Sequence, residues 1–358
     1  MSLDHITQSL IELAGIPSTS GHEEHVRAYL EQRLASLGIT MQVDAAGNLI
    51  AELPGEGRQL MLNAHMDRVP PGHAHQPVIR GGIMYSDDTT NLGADDAAGI
   101  AIVLDILTQL VAHEEPHPPV VAVFTVQEEV GLLGAGAFDP SPWHVSDGIV
   151  FDNASEAGAV VSRGATYLAF DVEIRGKTGH PGKDLSETVN VIDIFRDAPY
   201  PHGSIANDRT RILVSRIEAG SARNAIPAFA HIEGELRSFE PPEIRQRYQQ
   251  AIQSAFEQAA SQYGGSVAVT FKPHCTSYVV DEDEPLLTTY REVLARRGES
   301  LQAHPTFIGS DTSAFRPRIK TFTLSTGVVN EHSTQEYVAL APLEQIAQDS
   351  LQVIQMWR

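Results

Sequence analysis

Three stretches of this chain, Leu60–Ala64, Val120–Val126 and Ile149–Phe151, are almost entirely apolar. Side chains alternate between the two faces of a strand, so an unbroken apolar strand must be covered on both faces. That is the environment at the centre of a sheet with helices packed above and below it. Between the first two runs lies NLGADDAAGIAIVLDILTQLVAHEE, a Gly-Ala-Asp turn followed by a mostly apolar helix that must be buried on several sides. Strands alternating with such helices imply an α/β layer architecture. Nearer the N-terminus, Val26, Leu30, Leu34 and Leu37 recur at helical spacing ahead of a glycine cap, and TMQVD with GNLIAEL reads as a hairpin.

Each apolar run ends in residues that carry chemistry. In QLMLNAHMDRVPPG the Pro70-Pro71-Gly72 segment forbids continuation of the strand, so His65 and Asp67 sit at its end. They point to the same side if the chain stays extended. One could then bind a metal while the other buttresses it, or both could face solvent. The second run ends in Gln127, Glu128 and Glu129, and the third in Asp152. A later run, Thr321–Leu324, leads to His332 in NEHSTQE, and Asp95 and Asp96 open the long helix. Each has an ordinary reading as a helix cap, a charged loop, a turn residue or a loop histidine. In an open α/β sheet, however, ligand sites lie beyond the carboxyl ends of the strands, where all of these residues converge. Imidazoles and carboxylates without thiolates suit a borderline divalent ion, zinc first and manganese or cobalt next. Five or six ligands exceed one tetrahedral zinc. They match two ions about 3.5–4 Å apart that share a carboxylate and activate water.

At 358 residues the chain exceeds one comfortable core. After Arg163 its texture changes to segments such as ATYLAFDVEIRG, TRILVSRIEAG and FAHIEGELRSF, which alternate apolar and polar residues as strands with one wet face do. An amphipathic helix follows Pro241-Pro242. Residues 164–277 therefore read as a smaller α+β insert between two parts of a catalytic domain, 1–163 and 278–358. With 46 acidic against 25 basic residues the net charge is −21, which argues against nucleic acid or an anionic membrane as partner. Cys275 is the only cysteine, so no intramolecular disulfide can form. The first residues lack a basic segment, and no apolar run approaches the roughly 20 residues that span a bilayer. A cytoplasmic protein is expected.

Taken in order, NAHMDRV, GADDAAG, VQEEVGLLGA, FDNAS and NEHSTQEY resemble the metal motifs of the co-catalytic metallopeptidases that include peptidase T, carboxypeptidase G and the aminoacylases. The resemblance extends over nearly the whole chain, and TTNLGADDAAGI with GSDTSAF is most similar to the peptidase T-like branch. It implies a mixed central sheet flanked by helices, interrupted by a lid that also dimerises. It implies two divalent ions, held by His65, Asp95 (bridging), Glu129, Asp152 and His332, with Asp67 orienting His65 and Glu128 as general base. GKTGHPG resembles the segment whose histidine reaches a neighbouring subunit's site, which makes His180 a candidate for polarising the scissile carbonyl. GSARNAIP resembles the substrate-binding stretch and offers Arg223 and Asn224. The family often carries lysine after the paired aspartates, where this chain has Ala97, which alters the local charge but no ligand. The expected activity is cleavage of short peptides, of tripeptide aminopeptidase type, with removal of an acyl group from an N-acyl amino acid as the alternative. A carrier that had lost the chemistry should have lost a ligand or the base, and all are present. A phosphoesterase on the same two ions should add basic phosphate contacts.

Overall fold

The apolar runs become neighbouring strands of one nine-stranded sheet. In this computed structural model, which describes residues 4–113, 115–183 and 185–357, four parallel strands form its centre. Their order is Val120–Thr125, Leu60–His65, Asp147–Phe151 and Lys320–Leu324. Antiparallel strands flank them. Leu49–Leu53 pairs with Val120–Thr125 and forms a hairpin with Thr40–Val43, while Val160–Gly164 pairs with Lys320–Leu324. The sheet is therefore mixed, and helices cover both of its faces.

Alternation along the strands divides the core. Leu60, Leu62 and Ala64 join Ile100, Val103, Leu104 and Leu107 of the helix Ala94–Ala112, together with Leu10 of the helix His5–Ala14. Met61, Val121, Val123 and Val150 pack with Ala135, Phe138, Trp143 and Phe315 on the opposite face. Every side chain of Leu60–His65 and of Val120–Thr125 is buried. Full burial of one large aliphatic or aromatic side chain contributes about 1.5–3 kcal/mol. Both faces of these strands are thus held in place.

Local signals account for the ends of the elements. The helix Glu24–Ser36 closes where Gly38, at φ +71°, donates its N–H to Ala35 O. In the Thr40–Leu53 hairpin, Asp44 Oδ1 accepts the N–H groups of Ala46, Gly47 and Asn48 at 2.9–3.0 Å. Gly99 allows the long helix to approach the centre of the sheet. A Cβ there would lie 2.2 Å from Phe151 O and 2.5 Å from Asp96 Oδ1.

Gly164–Ser277 forms a compact unit, and the chain on either side of it forms another. The smaller unit is a five-stranded antiparallel sheet in the order Gly203–Ile205, Thr210–Ala219, Phe229–Ser238, Thr166–Arg175 and Ser266–Cys275. Phe170, Val172, Ile174, Ile232 and Leu236 face the core, where Ile252, Phe256 and Ala259 of the helix Pro242–Tyr263 pack with Val191 and Ile194. Residues between the inward ones, such as Asp171, Glu173 and Glu235, form the wet face. Among the described residues, no helix is long and apolar enough to cross a membrane.

Candidate metal centre

His65 is the last residue of its strand and is 2% exposed. Its Nδ1 lies 2.9 Å from the backbone carbonyl of Asp67. A carbonyl only accepts, so Nδ1 donates to it and Nε2 is the ring nitrogen that faces the site. The Asp67 carboxylate lies farther from that ring, with Oδ1 3.4 Å from Nδ1. It is mainly engaged elsewhere. Glu128 N–H donates to Oδ1 at 2.9 Å, Glu129 N–H to Oδ2 at 3.2 Å and Ser20 Oγ to Oδ2 at 2.6 Å. One buried aspartate therefore fixes the imidazole through its backbone and the Glu128–Glu129 loop through its side chain.

That loop turns sharply because Gln127 takes φ +54° two residues beyond the strand, and Gly131 and Leu132 then donate their N–H groups back to Glu128 O.

The paired aspartates divide two tasks between them. Both have non-helical backbone angles, and a cis peptide bond joins them. Asp96 Oδ1 accepts from Gly99 N at 3.1 Å, as an N-cap does, and Oδ2 accepts from His65 N at 3.0 Å. Asp95 is released to the site. Its Oδ1 lies 3.3 Å from His65 Nε2 and its Oδ2 lies 3.2 Å from His332 Nε2. His332, at φ +61° in the loop after Lys320–Leu324, also places Nε2 3.1 Å from Glu129 Oε1. Asp152 follows the Asp147–Phe151 strand directly and is 8% exposed. Ligand atoms of His65, Asp95 and Asp152 converge within 4.8 Å, as do those of Asp95, Glu129 and His332, and those of His65, Glu128 and Glu129. Asp95 belongs to two of these groups.

Electrostatics reflect too many carboxylates in one small space. Burial works against a charged His65, but hydrogen bonds to Asp67 and Asp95 outweigh it and raise its pKa well above the ordinary value. Burial would also raise Asp95, yet the hydrogen bonds and charges of His332 and His65 pull it below the carboxylate range. Burial, aided by neighbouring carboxylates, pushes Glu128 and Asp152 well above theirs. Glu129 rises for the same reason despite its bond to His332. Hydrogen bonds to Asp95 and Glu129 lift His332 to about 10. Protons take up negative charge that divalent cations would otherwise neutralise. The donor set of imidazole nitrogens and carboxylate oxygens fits such ions.

Three further residues border the centre. Asp311, 1% exposed, accepts from Thr125 Oγ1 and Asn63 Nδ2, and burial raises its pKa to about 6. Glu336 accepts from Gly93 N at 2.9 Å and Asp95 N at 3.0 Å. Arg68 follows Asp67 and is 3% exposed. In the sequence, Asp311 in GSDTSAF, Glu336 in STQEY and Arg68 beside Pro-Pro look like surface charges. Nothing local marks them as buried.

His180, Arg223 and Asn224 lie in the smaller unit, and all three are exposed. Their loops are tied together, since Ile226 N donates to Gly179 O at 2.9 Å and Thr178 Oγ1 to Ile226 O at 3.0 Å. The same unit carries Asp171, His231 and Glu233 close together on its wet face. There Asp171 meets His231 Nε2 at 2.9 Å, while Glu233 lies 3.8 Å from Nδ1 and accepts from Arg216. The carboxylates flank opposite ring nitrogens, the arrangement of a cross-strand ion-pair ladder rather than of one coordination sphere.

Known proteins resemble this chain over almost its full length. A tripeptidase of Staphylococcus aureus superposes with a TM-score of 0.92 at 28% identity, covering 98% of this chain and 97% of its own. Aminopeptidase PepT of Bacillus cereus gives 0.88 at 27% identity, with the same coverage. Protein YqjE of Bacillus subtilis is 28% identical over 98% of this chain and 97% of its own length. Residues 61–355 match Peptidase family M20/M25/M40, and these bounds enclose the strand ends, the aspartate pair and the His332 loop. The chain belongs to this peptidase family, on its peptidase T-like branch.

Proposed function

We propose that the chain is a dinuclear metal-dependent hydrolase of peptide bonds in short peptides, a tripeptide aminopeptidase in type. The observation that carries this reading is Asp95, whose two carboxylate oxygens face two different imidazoles. His65 and Asp152 would complete one ion site beside Asp95, and Glu129 and His332 the other. Zinc suits these donors best, with manganese or cobalt next. When bound, such an ion pair supplies an acidified water and polarises the scissile carbonyl.

The chain's own residues supply the rest. Glu128 is buried beside His65 and Glu129, and its carboxylate, ionised once cations neutralise the site, serves as the general base. It takes the proton of the attacking water and returns it to the leaving amine. Asp67 holds the N–H groups of Glu128 and Glu129, so base and ligand keep their relative placement. His180 would polarise the carbonyl oxygen from a partner subunit in a homodimer formed through the smaller unit, and Arg223 with Asn224 would bind the peptide's backbone or carboxylate. The tethering of the 178–180 and 225–226 segments, which sets these three on adjoining loops, supports that grouping. Cys275, the chain's single cysteine, is buried, which accords with a cytoplasmic setting.

The test is to incubate metal-loaded protein with di-, tri- and N-acylated peptides and identify the products by mass spectrometry. Loss of the first residue from tripeptides supports the proposal. Release of acyl groups alone, with tripeptides untouched, overturns it in favour of an aminoacylase.

A further inference from the structure

Arg68 presents a guanidinium in a place where burial is costly. Among the described residues no carboxylate lies in ion-pair contact with it, and its partners are backbone carbonyls of three separate segments. Nη2 donates to Ile16 O at 2.6 Å, Gly72 O at 3.2 Å and His73 O at 3.3 Å, and Nη1 to Leu92 O at 3.5 Å. Its own N–H donates to Ser18 O at 3.0 Å. Gly93 is shaped around it. A Cβ at that position would lie 2.5 Å from Arg68 Nη1 and 2.8 Å from Cδ, and the backbone there takes φ +74°. The opposing charge that acts on Arg68 is that of Glu336, whose carboxylate accepts from Gly93 N and Asp95 N. Arg68 and Glu336 thus grip the turn Leu92–Asp95 by its carbonyl at one end and its N–H groups at the other.

We infer that Arg68 is a positioning residue for the reaction: its side chain, acting with Glu336, sets the turn that presents the shared Asp95 carboxylate. This rests on the dinuclear reading above. A cavity of about 10 Å³ lies beside it, lined by Asp67, Arg68, Gly93, Asp96 and Ala97 among others. Ala97 lines the same cavity, so a lysine there combined with Arg68→Met would enter the space the guanidinium leaves.

The test uses the full chain in four forms: wild type, Arg68→Lys, Arg68→Met and Arg68→Met/Ala97→Lys. Each is titrated calorimetrically with Mn2+ alone, melted, and assayed on a tripeptide for kcat and KM separately. Residues that orient metal ligands change metal affinity or activity by about 10–100-fold when lost. Arg68→Met should lose about that much in affinity for one of the two ions and in kcat, with KM within about twofold. The double variant should recover about tenfold of either quantity, which a purely structural loss would not. Arg68→Lys keeps the charge but cannot fork to several carbonyls, so it should melt near wild type and still lose kcat. That variant decides the matter if Arg68→Met does not fold. Wild-type ion affinities and kcat in Arg68→Lys and Arg68→Met would overturn the proposal. So would a loss that follows melting temperature alone with no recovery in the double variant. If wild type itself binds fewer than two ions, the dinuclear reading fails instead.

Discussion

Replacing Asp67 with asparagine should cripple this site while leaving the fold intact. The residue is 1% exposed, and its two oxygens accept from Glu128 N, Glu129 N and Ser20 Oγ while Oδ1 faces His65. Burial would raise its pKa, but the hydrogen bond and charge of His65, with Ser20 and the Glu128 N–H, hold it below the ordinary range. The side chain is therefore a carboxylate, an acceptor on both oxygens. An asparagine amide offers one oxygen and one NH2 group. Whichever way it is placed, NH2 meets the backbone N–H of Glu128 or of Glu129, donor against donor. A hydrogen bond to a charged acceptor contributes about 1.5–3 kcal/mol, and one such bond must be lost outright. Part of that cost falls on the loop that carries Glu128 and Glu129, the proposed base and metal ligand. A shift of about 1.4–2.8 kcal/mol in transition-state stabilisation corresponds to about 10–100-fold in kcat/KM. The assay is tripeptide turnover at saturating metal, with a calorimetric metal titration and a melting curve. If Asp67→Asn keeps kcat/KM within about threefold of wild type, Asp67 does not organise the loop and the reasoning fails.

The adjacent glutamates should separate. Glu128→Gln should keep both metals yet lose about 10²–10⁴-fold in kcat, as removal of a general base does, whereas Glu129→Gln should weaken metal binding and regain activity with excess metal; calorimetry and turnover would show the reverse if the roles are exchanged. Mixing His180→Ala chains with Glu128→Gln chains should restore activity in hybrid dimers, and no rescue in demonstrably mixed dimers would refute action across subunits. Away from the site, Glu284 pairs with Arg316 through two bonds, and although burial would raise its pKa, Arg316 and the Asp281 N–H keep it below the ordinary 4.5. Its stabilising effect is therefore present above about pH 4.5 and is lost as pH falls through the lowered value. Melting curves of wild type and Glu284→Gln should converge under acid, and a gap that stays constant from pH 7 to pH 3 would contradict this.

What could be read in the sequence followed from local pattern. The unbroken apolar runs identified the strands Leu60–His65 and Val120–Thr125 because burial on both faces leaves no alternation. The wet-faced alternation of Thr166–Arg175 and Phe229–Ser238 marked a sheet with one exposed side. The convergence of His65, Asp95, Glu129, Asp152 and His332 was legible because His65 ends a strand, Asp95 opens a helix and the other three lie in segments that follow strands. Tertiary effects were not legible. The strand Ser266–Cys275 contains Lys272, Pro273 and His274, which hide its period, and it pairs at the sheet edge where such residues are tolerated. Which of the paired aspartates caps the helix depends on His65 N and Gly99 N, groups 31 and 3 residues from Asp96. Arg68, Asp311 and Glu336 become buried only through contact with segments distant in sequence, and no window of neighbouring residues carries that information.

If the Asp95 carboxylate is shared by two ions, the number of ions bound per chain must show it. Elemental analysis of the chain after loading and desalting should give two divalent ions per chain, with His332→Ala retaining fewer. Chelation should abolish tripeptide cleavage, and added metal should restore it. A single tightly bound ion accompanied by full activity would contradict the account.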